Sequence, residues 1–242
     1  AVVRTAGRTL VYDAGPAYRS GGDAGQSVLV PYLRHAGVRR IDRVLVSHSD
    51  LDHAGGLDSL LSAYQVTHVA SGDPLPALPA GRRASRCRAG DRWRWDGVTF
   101  RVLHPRADLV HERNDASCVL LLETGATRVL LAGDIEAGVE AALVRSRVLP
   151  TVDVTTVPHH GSRTSSITPY VRALDARVAL IPVARYNAWD LPKPDIVERW
   201  RNVGARVLTT AASGAVLVDV CASGVTLREY RREHRRRWHG AD

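Results

Sequence analysis

Four of six consecutive side chains in His48-Ser49-Asp50-Leu51-Asp52-His53 are metal-ligand types. Imidazole nitrogens mixed with carboxylate oxygens suit divalent ions such as Zn²⁺ and Mn²⁺. His48 and Asp50 stand two apart, so in extended chain they face the same way. Asp52 and His53 are adjacent and diverge unless a turn bends them round a second centre. The bland alternative, a solvated polar turn, requires this density of ligands by accident. Gly133-Asp134 adds a carboxylate able to bridge two ions, although taken alone it reads better as a helix N-cap. His159-His160-Gly161-Ser162 adds two imidazoles. One can complete a second metal, and the other can donate a proton or hold substrate. The Gly-Ser turn can present backbone N–H groups to a phosphate, making Ser162 and the following Arg163 candidate substrate contacts.

The elements around these residues point the same way. Short β-rich runs at 9–13, 43–47, 66–70, 98–103, 118–123, 128–132, 152–157, 178–182 and 206–209 alternate with amphipathic stretches at 28–36, 56–63, 136–148 and 194–203. A closing hairpin is expected over 215–220 and 225–230, around 222–224. Residues 72–90, rich in Pro, Gly and Arg, read as loop. A polar residue ends strand after strand: Asp13, His48, Asp134, His159. One rim of a sheet scaffold carrying a site has that pattern. Mixed strands with interspersed helices and no internal linker predict an α/β fold of two sheets with helices outside. The expected organisation is one domain over 1–230 and a basic tail over 231–242.

Composition bounds the class. Apolar residues make up 45% and charged residues 24%, the balance of an ordinary globular protein. No apolar run approaches the roughly 18 residues that span a bilayer, and residues 1–5 do not read as a signal peptide. The chain contains no Met, so it is expected to be a processed chain or a piece of a longer product. The net charge is +8, and Lys193 is the lone lysine among the 33 basic residues. Arg forks match phosphate, which suits a nucleic acid or another polyanion; a GC-rich coding sequence would also write Arg for Lys. Residues 228–238 hold six Arg and two Glu, so they alone carry +4 of the +8. A solvated tail is preferred there to a dedicated DNA arm. Three cysteines, Cys87, Cys118 and Cys221, argue by their odd number against a disulfide framework. Cys118 and Cys221 read as small core residues.

The order Asp13, Ser47-His-x-Asp-x-Asp-His-Ala-Gly-Gly56, Asn114-Asp-x-Ser117, Gly133-Asp-Ile-Glu136 and Pro158-His-His-Gly-Ser162 resembles the metallo-β-lactamase fold superfamily. Within it, the chain is most similar to the nuclease-like domain of the ComEC/Rec2 family of competence DNA-uptake proteins. The superfamily usually has His where Asp50 stands, and ComEC-like sequences show that Asp. The resemblance covers nearly the whole chain and implies a four-layer αββα sandwich. It also implies two divalent ions; the carboxylate-rich ligand set, harder than a three-His site, tilts the metal towards Mn²⁺ over Zn²⁺. His48 and Asp50 would hold one; Asp52, His53 and His159 the other; Asp134 would bridge them. Asp13 would orient the site from behind the ligands. Asn114 and Ser117 would sit near substrate, and His160 would protonate the leaving oxygen. Three features depart from the pattern. The loop expected to bring a third His to the first ion offers Asn114 and Ser117, with His104 and His111 read as loop and surface residues. The segment Asn187-Ala-Trp-Asp-Leu191-Pro-Lys193-Pro lacks both His of the usual Asn-x-x-x-His-Pro-His-Pro. Relatives usually begin with an Asp-Val-Gly-Gln-Gly strand, and residue 1 stands just after where it would lie.

The expected function is therefore a metal-dependent deoxyribonuclease that hydrolyses phosphodiester bonds of the DNA strand not taken up. Its implied partners are single-stranded DNA and a membrane channel domain of the same longer polypeptide, with the soluble domain on the periplasmic face of the inner membrane. Arg82, Arg83, Arg86, Arg92, Arg94 and the tail would hold the phosphate backbone. Trp93 and Trp95 would stack bases, or, as spacing on one strand face suggests, pack in a core. Two rival readings remain: a small-molecule phosphodiesterase or esterase on the same scaffold, and a DNA-binding domain with weak catalysis.

Overall fold

A computed structural model describes residues 1–75, 78, 81–108, 111, 113–221 and 224–234. The chain forms two compact units, Ala1–Leu120 and Leu121–Asp242. Among the described residues no helix is long and apolar enough to cross a membrane.

The first unit opens with β1 (Val2–Arg4) and β2 (Thr9–Tyr12). A π-turn at Gly25–Leu29 runs into α1 (Val30–His35), followed by β3 (Ile41–Val46), α2 (Leu51–Ala54), α3 (Leu57–Ala63), β4 (Val66–Ser71) and the short β5 (Ser85–Arg86). The sheet order is β1-β2-β3-β4-β5; β1 pairs antiparallel to β2 and the other pairs are parallel. Parallel strands are covered on both faces, which is why β2 and β3 are apolar almost without alternation. Val11, Val44 and Val46 pack with Val30 and Leu33 of α1 and with Leu57, Leu60 and Leu61 of α3. The helices thereby fix where the two strands end, and both ends carry site residues.

In the same unit β6 (Arg92–Trp95) and β7 (Val98–His104) form an antiparallel hairpin. Here the period is two. Trp93 stacks on buried Phe100 with centroids 5.0 Å apart, Trp95 meets Phe100 edge-on, and the Arg43 guanidinium lies 3.9 Å over Trp93. The two tryptophans pack within the unit, while Arg92 and Arg94 face water on the opposite side. His104 is buried at the end of β7 and donates from Nε2 to the Asp115 carbonyl at 2.7 Å, so the expectation of a loop residue is corrected. His111 is half-buried, its ring edge against His104. A 3₁₀ turn, Arg113–Ala116, leads into β8 (Val119–Thr124).

The cysteine reading is corrected as well. Cys87 and Cys118 are both buried and form a disulfide, with Cα atoms 6.2 Å apart. An odd count leaves room for one bridge, and this one fastens the segment after β5 to the entry of β8. Cys221, expected in the core, is exposed.

The second unit contains β9 (Thr127–Leu131), α4 (Ala137–Arg145), β10 (Val154–Thr156), a 3₁₀ turn Pro158–Gly161, α5 (Thr168–Leu174), β11 (Val178–Ile181), α6 (Pro194–Arg201) and β12 (Arg206–Thr209). Its strands run in the order β12-β11-β10-β9-β8, and the three pairs from β9 to β12 are parallel. Leu130, Val154 and Ile181 are buried, as are Val139 and Leu143 of α4, Tyr170 and Leu174 of α5, and Trp200 of α6. Buried Glu140 accepts the Ser166 and Ile167 N–H groups at 2.6 and 2.8 Å, tying the chain before α5 to α4. After α7 (Thr210–Ser213), β13 (Val216–Cys221) and β14 (Gly224–Glu229) make the expected hairpin. Its turn residues 222 and 223 lie outside the described residues. So does 235–242, most of the expected tail; Arg231 and Arg232 belong to α8 (Tyr230–Glu233).

Candidate metal centre

In the first unit the site starts where β2 and β3 end side by side. Asp13, in a left-handed conformation (φ 60°), turns its carboxylate onto the start of the ligand cluster. It accepts the Ser47 N–H at 2.6 Å, the Ser47 hydroxyl at 3.0 Å and His53 Nδ1 at 2.9 Å. A carboxylate can only accept, so His53 carries its proton on Nδ1 and its lone pair on Nε2. The Ser47 hydroxyl spends its proton on Asp13. Its oxygen, 3.1 Å from His48 Nδ1, is then an acceptor, so His48 too is protonated at Nδ1. Ser117 Oγ backs the same nitrogen at 3.3 Å.

Both rings are buried, with centroids 4.2 Å apart, whereas the carboxylates of Asp50 and Asp52 are half exposed. His48 Nε2 lies 3.7 Å from Asp50 Oδ2, and His53 Nε2 lies 3.7 Å from Asp52 Oδ2. The cluster thus resolves into two imidazole–carboxylate pairs. Asp50 sits at the N-cap position of α2, and its carbonyl accepts the N–H groups of His53 and Ala54. Gly55 and Gly56 allow the close approach: a Cβ on Gly56 would overlap the Ala14 carbonyl oxygen, and one on Gly55 the Ala17 nitrogen. That contact lets Ala14 donate to the His53 carbonyl at 2.7 Å, which sets Asp13 against the ring.

In the second unit, Gly133-Asp134 follows β9. Asp134 is buried, and it is Glu136, two residues later, that occupies the N-cap position of α4, without a side-chain cap bond. The cap reading of Asp134 therefore does not apply. After β10, His159 and His160 are both left-handed (φ 47° and 51°). Non-glycine residues in that region cost roughly 1–3 kcal/mol each, and such strain collects at functional sites. The strain sends the two rings apart. His160 Nδ1 donates to the Pro182 carbonyl at 2.7 Å, leaving its lone pair on Nε2, 3.4 Å from Asp134 Oδ2. His159 Nδ1 meets Thr164 Oγ1 at 2.9 Å and Glu136 Oε1 at 3.3 Å.

The residues fit a divalent metal. Nδ1 of each of three buried or half-buried imidazoles is fixed by an oxygen, as metal-bound imidazoles are held in known sites. Each Nε2 faces a carboxylate oxygen at 3.4–3.7 Å. A cation bonding both atoms at the usual ~2.1 Å would hold them about 3–3.5 Å apart. The structure places Ser117 buried behind His48 and Asn114 half-buried on the 3₁₀ turn. Ser162 Oγ lies 3.1 Å from Thr164 Oγ1, and Arg163 pairs with Asp195 at 3.0 Å. Sequence reasoning missed Ser47, Glu136, Thr164 and the Pro182 carbonyl. Ser47 and Glu136 left a signal, since both stand inside the motifs that carry the resemblance.

A family model of the metallo-beta-lactamase superfamily matches residues 1–185. The chain is 34% identical over 240 residues to Uncharacterized protein YcaI of Escherichia coli, covering 98% of this chain and 31% of that protein. It is 33% identical over 225 residues to Recombination protein 2 of Haemophilus influenzae, covering 93% of this chain and 28% of the other. Competence protein ComA of Neisseria gonorrhoeae is 33% identical over 237 residues, 95% of this chain and 32% of that protein. The chain thus spans about a third of the length of the curated relatives it matches. Among solved structures, the metallo-beta-lactamase fold protein YhfI of Bacillus subtilis aligns over 86% of both chains at a TM-score of 0.55 and 12% identity, which shows the fold alone. Mixed sheets flanked by helices follow the metallo-beta-lactamase fold. With its model match and these relatives, the chain belongs to the metallo-beta-lactamase superfamily, as a domain with homologues among the competence proteins of the ComEC/Rec2 family.

Proposed function

We propose that the chain is the metal-dependent deoxyribonuclease domain of a competence DNA-uptake protein, hydrolysing phosphodiester bonds of the strand that is not taken up. The observation that carries this reading is the repeated pairing of a proton-fixed imidazole with a carboxylate: His48–Asp50, His53–Asp52 and His160–Asp134. Each pair would offer its imidazole and carboxylate to a divalent ion, the first two pairs in the first unit and the third in the second. His160 takes the ligand role and His159, held by Glu136, the proton-transfer role, an exchange that rests on the 3.4 Å approach of His160 to Asp134. Equal numbers of imidazoles and carboxylates make the set harder than a three-His site, which favours Mn²⁺ over Zn²⁺. Bound ions would supply Lewis acidity to a water and to the phosphate oxygens.

The chain's own residues do the rest. Asp13, Ser47 and Ser117 lock the rings so that both Nε2 atoms face the carboxylates. His159 passes a proton to the leaving oxygen. The turn at Ser162 and Arg163, with Asn114, contacts the phosphate backbone. Exposed Arg83, Arg86, Arg92 and Arg94 add salt-sensitive attraction; Arg82 is partly buried, its guanidinium on the Val66 carbonyl at 3.3 Å. The Cys87–Cys118 disulfide supports an oxidising compartment, and so the outer face of the inner membrane. The remaining two thirds of the relatives' length would supply the channel.

The test is cleavage of labelled single-stranded DNA with Mn²⁺, with and without chelator, beside Asp52→Ala. Asp52 is half exposed, so the variant should fold. Chelator-sensitive cleavage absent in the variant is expected. DNA binding without cleavage under Mn²⁺ or Zn²⁺ would refute the nuclease, and cleavage of small phosphodiesters alone would reassign the substrate.

A further inference from the structure

The connection between β11 and α6, residues 182–193, is seated at both ends on the turn that carries His160. It starts at Pro182, whose carbonyl takes the His160 Nδ1 proton at 2.7 Å. It ends at Lys193, whose N–H donates to the Gly161 carbonyl at 3.0 Å. A Cβ on Gly161 would press on the Pro192 side chain, so the fit there is close.

Between these seats the loop is braced from within. Asn187 Oδ1 accepts the Leu191 N–H at 2.9 Å, and its Nδ2 donates to the carbonyls of Leu191 at 2.9 Å and Ala184 at 3.2 Å. Lys193 Nζ donates to the Trp189 carbonyl at 2.8 Å. The Val183 N–H and carbonyl bracket Thr210 Oγ1 at 2.7 and 2.8 Å.

This frame holds two large rings in water. Tyr186 is 91% exposed and Trp189 72% exposed. Exposed apolar residues scattered singly need no explanation. Two aromatics three positions apart, on a loop whose backbone is already fixed, are different: they present flat apolar faces at little further entropic cost. Asp190 pairs with Lys193 at 3.7 Å, so Arg185 leaves the loop one net positive charge in a chain of net charge +8, which favours a polyanionic partner over a neutral one. A polyanion with repeated flat faces is a single-stranded nucleic acid. Every base offers a π-face whatever its sequence, and base-stacking platforms combine such rings with positive charge.

We propose that Tyr186 and Trp189 form a base-stacking platform that holds single-stranded nucleic acid beside the His160 turn. The identity of the strand rests on the nuclease reading; the platform itself is read from the loop. Binding is measured in chelator, where no cleavage occurs, with a short fluorescent oligothymidylate and an abasic strand of equal length. Trp189→Ala and Tyr186→Ala should each weaken oligothymidylate binding roughly tenfold, the order of one lost stack, and Trp189→Phe should keep most of it. Binding of the abasic strand should not change. The oligothymidylate should quench the emission that Trp189→Phe removes. Equal loss on both strands, or no loss on either, overturns the platform. Quenching by anionic phosphatidylglycerol vesicles, with none by oligothymidylate, would assign the loop to a membrane surface and also overturn it. A domain that stacks DNA in this assay but never cuts it would refute the nuclease and leave the platform standing.

Discussion

Asp13 is the group on which the first half of the candidate site depends, and Asp13→Asn isolates its charge without changing its shape. The carboxylate takes three donors, the Ser47 N–H, the Ser47 hydroxyl and His53 Nδ1, at 2.6, 3.0 and 2.9 Å. Hydrogen bonds to a charged acceptor contribute roughly 1.5–3 kcal/mol each, against about 1 for neutral pairs. An amide has one oxygen and one NH₂, so at least one of these donors would meet a donor. One bond lost and two weakened gives about 2.5–7 kcal/mol on these values, and the partial exposure of Asp13 puts the expected loss in the lower part, roughly 2.5–4 kcal/mol. For a chain of this size each kcal/mol lowers the melting temperature by about 2–4 °C, so a fall on the order of 5–15 °C is expected. The larger consequence concerns metal. Without the Asp13 acceptor, His53 can move its proton to Nε2 or rotate, and loss of an orienting group of this kind typically costs 10–100-fold in metal affinity. Competitive titration of Mn²⁺ and Zn²⁺ against a fluorescent chelator, on the native protein, Asp13→Asn and the double variant Asp13→Asn/His53→Ala, reads this directly. The two changes should be far from additive, since Asp13 acts through His53. Native metal affinity in Asp13→Asn, or full additivity, would show that the carboxylate supports the fold and not the ligand.

Two further outcomes follow from the first unit. Burial pushes the His104 imidazole down to about 4, against an ordinary value near 6.5. The unfolded chain therefore binds a proton that the folded one refuses, and stability should fall as pH drops from 6.5 towards 4, by roughly 3 kcal/mol in all. Urea denaturation of the native protein and His104→Gln across that range should differ in slope, and identical slopes would refute the assignment. The Cys87–Cys118 bridge closes a separation of 31 residues, for which chain entropy gives about 3–4 kcal/mol. Dithiothreitol should lower the melting temperature of the native protein and leave Cys87→Ala/Cys118→Ala unmoved.

The sequence was most legible where one residue type has one physical use. Apolar runs at 43–47 and 128–132 end in ligand-type residues, and the structure has strands Ile41–Val46 and Thr127–Leu131 there. The hairpin of β13 and β14 was readable from its turn. Trp93 and Trp95 were readable as a packed pair from their spacing alone. What stayed illegible needed partners distant in the chain. The three cysteines gave a parity argument that failed, because pairing depends on a 6.2 Å Cα separation and not on a count. Helix α5 was missed, since its buried face, Tyr170, Val171 and Leu174, spans under two turns.

By itself the sequence determined the chemistry available: imidazoles and carboxylates at strand ends, in an order that resembles one superfamily. Which nitrogen of each ring is offered was decided only by tertiary structure. Asp13 lies 40 residues from His53, and Pro182 lies 22 from His160, yet these oxygens fix the Nδ1 protons. The split between His159 and His160 was decided in the same way. Adjacent residues of one type are equivalent in a sequence, but two successive left-handed φ values send one ring to Glu136 and the other to Asp134. A sequence lists donors, and only the folded backbone gives each lone pair a direction.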